Sequence, residues 1–166
     1  SLIEISGDKN NFVFNASFEA YETLGQSNNN RYEFVYPNYS LQKSLNLNNK
    51  IFQNMNFISY GNKRTHTTNI EETVQINDLT LSSSTDIFNN GIETNFKTLI
   101  KNVNSKGSNS TKFKKKGQSE ILSILAYDLS LPLKKYEESS YKYLTPKILV
   151  KHSPNKTKNI KDNKHF

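Results

Sequence analysis

Imidazole serves both metal binding and proton transfer near neutral pH, so the histidines are the first candidates for chemistry. His66, His152 and His165 stand in or beside different turns, with no His-x-His or His-x-x-x-His spacing. A metal centre needs several converging ligands, and this spacing converges none. Carboxylates come in two adjacent pairs, Glu71-Glu72 and Glu137-Glu138. Neighbours along a strand point to opposite faces, so neither pair makes an acid–base dyad by itself. The many serines include no G-x-S-x-G elbow. Neither phosphate-cradling motif, GxxxxGKS/T or GxGxxG, occurs. The chain has no cysteine, which excludes a disulfide framework and thiolate metal sites within it. No catalytic, cofactor-binding or metal-ligating residue is assigned, no cofactor is expected, and the expected function is non-enzymatic.

Two further features belong to surface chemistry. KFKKK at Lys112–Lys116 could hold anionic phosphates, although its Gly/Ser setting favours a solvated loop. Asn-x-Ser/Thr triplets begin at Asn15, Asn38, Asn109 and Asn155. A chain this rich in Asn and Ser produces them by chance, and no glycosylation is expected at them.

The elements that would position these residues are strands. In Asn11–Tyr21, Phe12, Phe14, Ala16, Phe18 and Ala20 share one parity, while Asn15, Ser17 and Glu19 share the other and Val13 intrudes. That is a ribbon with one apolar face; at helical spacing the phenylalanines would scatter. A second run, Arg31–Leu47, changes parity at Pro37-Asn38, where a bulge would return its apolar side to one face. Further runs are read at Ile51–Tyr60, Thr67–Leu81 (with a slip at Asn77-Asp78), Ile92–Val103, Glu120–Leu133 and Tyr141–Ser153. Turns are expected at Gly25–Asn30, Gly61–Arg64 and Lys134–Ser140, and loops at Ser82–Asn90, at 104–118 and at 154–166. Asparagine clusters separate the runs because Asn tolerates left-handed backbone angles. The expectation is an all-β antiparallel meander of about seven long strands in a single segment, 1–166.

Bulk properties leave two architectures. Hydrophobic residues are 34% of the 166 and mean hydropathy is −0.74, which a barrel strand, apolar only at alternate positions, tolerates. Ten Phe and nine Tyr, all patterned, argue against disorder. Net charge is +7, largely in Lys112–Lys116 and after Lys147. SLIEISGDKN shows no signal peptide. A soluble sandwich would bury the apolar faces against each other, whereas a membrane barrel would turn them to lipid. Runs of about 10 to 14 residues exceed the usual 5 to 6 and favour the barrel. So do tyrosines near run ends, such as Tyr21, Tyr36, Tyr60 and Tyr141.

The last two runs carry a resemblance. YDLSLPLKK at Tyr127–Lys135, YLTPKILVKHSP at Tyr143–Pro154 and then NKTKN resemble the C-terminal barrel domain of the LptD (OstA-like) family of lipopolysaccharide-assembly proteins. RYEFVYPNYSLQKS at Arg31–Ser44, NDL at Asn77–Leu79, Gly91 and Lys101-Asn102 fit the same pattern. Lys151-His152 stands where that family usually carries Arg. The resemblance implies a fragment of a plugged barrel in the cell outer membrane, larger than this chain. It would pass lipopolysaccharide to the outer leaflet through a lateral opening whose gate strands lie elsewhere. Implied partners are lipopolysaccharide, outer-membrane lipid, a lipoprotein plug and a periplasmic bridge of jellyroll domains, with no nucleic acid. No functional residue is carried over. On this reading Glu19, Lys97, Lys101, Lys147 and Lys151 face the lumen, and Phe12, Phe14, Phe18, Phe96, Ile100, Leu129 and Ile148 face lipid. The competing expectation is a soluble β-rich adhesion or ligand-binding module, with the same phenylalanines in a dry core.

Overall fold

Alternating polarity builds every long element of this all-β chain. The structure is a computed structural model and describes residues 1–25, 31–49, 51–137 and 140–155. Its strands are β1 (Leu2–Lys9), β2 (Phe12–Glu22), β3 (Tyr32–Asn46), β4 (Asn54–His66), β5 (Glu71–Ser82), β6 (Asp86–Ile87), β7 (Glu93–Ser108), β8 (Gln118–Ser130), β9 (Leu133–Glu137), β10 (Ser140–Leu144) and β11 (Lys147–His152). One antiparallel sheet runs in the order β1-β2-β3-β4-β5-β7-β8-β11, with the short β6 against β7. β9 and β10 form a separate hairpin. The sheet is a meander and an open wall, with β1 and β11 at its edges.

The turn chemistry follows the asparagines. Lys9 pairs with Phe12, so Asn10 and Asn11 alone join β1 to β2, with φ of 51° and 60°. Two left-handed residues are what a tight hairpin needs, and Asn supplies them at low cost. Asn48, Asn69 and Asn109 also take positive φ.

The parity change in β3 is a bulge. Between Val35 and Asn38 the strand gains one residue against both β2 and β4. Phe34 then lies opposite Ala20 and Thr65, and Tyr39 opposite Ala16 and Gly61, so the aromatic side stays on one face.

Elsewhere the strands outrun the expectation. Gly61–Arg64 is no turn: β4 continues to His66. Gly61 marks a close backbone approach, since a Cβ there would meet Val74 O at 2.5 Å. The slip at Asn77-Asp78 is absent, because β5 stays in register with both β4 and β7. β7 runs on through Ser108 and β8 begins at Gln118, so the loop expected over 104–118 is 109–117. Asn104 and Ser105 read as loop by composition, yet they pair with Gln75 and Val74. Lys134–Ser140 is mostly the β9–β10 hairpin, and the run expected over Tyr141–Ser153 breaks at Thr145-Pro146, where proline cannot donate to a ladder. β1 is an addition: Ile3 and Ile5 alternate with Glu4 and Ser6 over too short a span to read alone. Residues 26–30 of the expected first turn, and the tail from 156 with His165, lie outside the described residues.

The wall has one layer. Among the described residues the buried apolar side chains are Val35 and Val103, each 4% exposed. Accessible surface is 12346 Å², roughly half as much again as the ~8,400 Å² of a compact monomer of this mass. Ile3, Tyr36, Ile148 and Val150 are among the large apolar side chains left open.

Candidate functional site

Residues opposed across an antiparallel ladder share a face, so the registers carry face identity from strand to strand. Phe12, Phe14, Phe18, Phe96, Ile100, Leu129 and Ile148 all fall on one face, the phenylalanine face. Glu19, Lys97, Lys101, Lys147 and Lys151 all fall on the other, the lysine face. These twelve residues therefore sort onto the two faces as their parities in the separate strands imply.

Apolar residues on the phenylalanine face form a diagonal stripe. In β1–β3 they are Ile3 and Ile5, then Phe12, Phe14 and Phe18, then Phe34, Leu41 and Leu45, centred near the level of Ala16 and Tyr39. In β4 and β5 they are Met55, Phe57, Leu79 and Leu81, toward the end away from the β2–β3 turn. In β8 and β11 they are Leu125, Tyr127, Leu129, Ile148 and Val150, further still. Followed through the registers, the stripe climbs about ten residues over the seven steps from β1 to β11. At ~3.3 Å per residue and ~4.8 Å between strands, that is a slope of roughly 45°. Within it Phe18 stacks on Phe34 at 6.5 Å and meets Tyr36 edge-on at 5.7 Å.

Below the stripe the same face carries a polar ladder, with the apolar Ile121 opposite Asn102. Ser59 Oγ donates to Asn77 Oδ1 at 2.7 Å, and Asn77 Nδ2 donates to Asn102 Oδ1 at 3.1 Å. Asn104 Nδ2 donates to the same Asn102 oxygen at 2.6 Å, and Asn102 Nδ2 donates to Ser119 Oγ at 3.2 Å. This ladder crosses β4, β5, β7 and β8. The sequence reading missed it; the signal was that Asn102 and Asn104 continue the parity of Phe96 and Ile100.

The lysine face gathers charge. Glu19 accepts bonds from Ser17 Oγ and Asn38 Nδ2, both at 2.8 Å, and from the Tyr21 hydroxyl. Arg64 Nε lies 2.9 Å from Glu33, and His66 Nδ1 is 3.9 Å from the same carboxylate. Lys101 Nζ is 3.0 Å from Asp78 Oδ2. A groove of about 500 Å³ follows β1–β4, lined by Glu4, Asn15, Glu19, Asn38 and Tyr60 among others. Val74 and Ile76 of β5 lie on this lysine face with Ile58, Val103 and Leu122. β5 changes its apolar side along its length without any shift of register.

The remaining sequence candidates are placed as follows. His66 and His152 fall on opposite faces. Among the described residues no group of three or more His, Asp or Glu could hold a metal. Glu71 pairs with Lys63 at 3.5 Å, whereas Glu72, on the other face, is 8% exposed and accepts from Ser110 Oγ at 2.6 Å. Of the second pair, Glu138 lies outside the described residues. Asn15 and Asn38 sit within strands. Asn155 accepts from the Ser123 amide and donates through Nδ2 to Ile121 O at 2.8 Å, carrying on the ladder beyond β11.

The KFKKK loop is pinned. Ser110 Oγ, besides its bond to Glu72, accepts from the amides of Lys112 at 3.0 Å and Phe113 at 3.1 Å. Gly107 N donates to Lys114 O at 2.9 Å, and Asn109 Nδ2 donates to Asn69 O at 3.0 Å. Phe113 is half-buried, and Lys112, Lys114, Lys115 and Lys116 are exposed.

No family model matches the chain, and no curated protein or solved structure matches it.

Proposed function

We propose that this chain is part of the wall of an outer-membrane β-barrel, and that the barrel serves the insertion of lipopolysaccharide into the outer leaflet by non-enzymatic transport. The observation that carries the membrane part is the slope of the apolar stripe. Barrel strands cross a bilayer tilted by about 35–45°. A flat hydrocarbon slab therefore cuts such a sheet diagonally, and its apolar band must shift along the strands from one to the next. A slope of roughly 45° meets that requirement. The large open apolar face, which a single layer cannot bury by itself, supports the same reading. The lipopolysaccharide part rests on the quoted motifs. In this role the lysine face supplies a polar wall, which lowers the cost of moving a charged, sugar-bearing head group past hydrocarbon. Outer-membrane lipid covers the other face, and a lipoprotein plug and periplasmic bridge complete the machinery.

Nitroxide scanning tests the reading, helped by the absence of native cysteine. Single cysteines replace Phe14, Ile100 and Leu129 on one face and Glu19, Lys97 and Lys151 on the other, in bilayers. The expected result is collision with lipid-soluble oxygen at the first three and with a water-soluble nickel chelate at the second three. Exclusion of both reagents from the first three would place them in a dry core and leave the soluble binding module standing.

A further inference from the structure

We propose that the polar region beneath the stripe, at the β5–β8 end of the phenylalanine face, binds the phosphate-bearing headgroup of an anionic membrane lipid. Acyl chains would lie along the adjoining stripe; the inference rests on the membrane-wall reading above. Thr73, Gln75, Asn104, Lys106, Gln118 and Ser119 line a cleft of about 320 Å³. Its lining is hydroxyl, amide and ammonium, with no carboxylate, which is the chemistry that accepts a phosphate. Asn104 is held in place by the amide ladder. Gly117 also lines the cleft, so the Lys112–Lys116 loop ends at its edge. The bond from Gly107 N to Lys114 O fastens that loop beside Lys106. Ser110 and Phe113, at the start of that loop, lie against Gly107 and Glu72 on the lysine face, so the loop meets the cleft through its last residues. The neighbouring acids are engaged elsewhere: Glu71 with Lys63, and Glu72 with Ser110 on the opposite face. Above it, past the row of Ser59, Asn77 and Asn102, Phe57, Leu79 and Ile100 share one row of the stripe. Phosphate chemistry and acyl chemistry thus adjoin in the order a lipid presents them.

The chain has no tryptophan, so one introduced indole reports one place. Ile100→Trp and Phe57→Trp probe the apolar row above the cleft, and Phe14→Trp is a control across the sheet. Each is reconstituted in phosphatidylcholine vesicles in which a minor fraction is brominated phosphatidylcholine or brominated phosphatidic acid. Brominated phosphatidylcholine should quench all three alike. Brominated phosphatidic acid should quench Phe57→Trp and Ile100→Trp beyond its share of the lipid, by a local enrichment on the order of tenfold, and leave Phe14→Trp at the bulk level. The excess should vanish when Lys106, Lys114, Lys115 and Lys116 are all changed to Ala, and should resist inorganic phosphate at equal concentration. An excess that survives the lysine changes, or is absent while phosphatidylcholine quenches normally, overturns the headgroup site and leaves the membrane wall intact. Displacement by inorganic phosphate overturns it in favour of a free-ion site. No quenching by either lipid overturns the wall and the site together.

Discussion

Gly61 sets how closely β3 and β5 approach β4. A Cβ there would lie 2.5 Å from Val74 O, 3.0 Å from Gln75 Cα and 3.2 Å from the Tyr39 ring. Two of these atoms are backbone and cannot swing aside. Gly61→Ala is therefore expected to destabilise the chain by about 1–3 kcal/mol, read as a lower urea midpoint in micelles. An unchanged midpoint would mean that the ladders part without cost. Phe14 poses the solvent question at one residue, since it sits well inside the stripe on β2. Phe14→Arg should cost about 2–4 kcal/mol near the bilayer midplane, and a near-zero change in the same titration would remove it from lipid. At this scale the sequence was read well where chemistry is intrinsic. Asn48, in one of the asparagine clusters that separate the runs, takes a positive φ, and that preference needs no tertiary context. Gly61 was misread as a turn, because glycine signals either a bend or a close approach and only the neighbouring strands decide which.

At the scale of the element, the bulge in β3 is the sharpest commitment. One extra residue between Val35 and Asn38 keeps Phe34 and Tyr39 on the same face of the sheet. Deleting Pro37 would remove that residue. Every side chain from Asn38 to Asn46 would then change face, or the pairing with both neighbours would be lost. The deletion is expected to abolish refolding into micelles, seen as loss of ordered β signal in circular dichroism. Full refolding would show that the bulge can be re-formed elsewhere in β3. The break was visible beforehand because tyrosines and leucines on either side of Pro37 fall on opposite parities. The inversion in β5 was not readable in the same way. Ile76 and Leu79 differ in parity just as Tyr36 and Tyr39 do, and a single strand cannot say whether register slips or the apolar side changes. Here the neighbours decide: Asn77 bonds to Ser59 and Asn102, which keeps it in register and makes its face polar at that level.

For the whole molecule, the lack of a second layer among the described residues governs behaviour outside a membrane. A wall whose edge strands β1 and β11 each have one neighbour among the described residues, with an open apolar stripe, has two routes to self-association, strand pairing at those edges and contact between stripes. Only charge opposes them: the net +7 makes copies repel at neutral pH. Salt shortens the reach of that repulsion, to about 8 Å at physiological ionic strength and about 3 Å at molar salt, and leaves the apolar attraction in place. Diluted out of denaturant into plain buffer, the chain should form large assemblies, faster as salt rises, by light scattering at micromolar concentration. In micelles that cover the stripe it should stay small, and salt should change little. A monomer in plain buffer at high salt would require the phenylalanines to be covered from within the chain, and the lipid-facing assignment of the stripe would fall with that result.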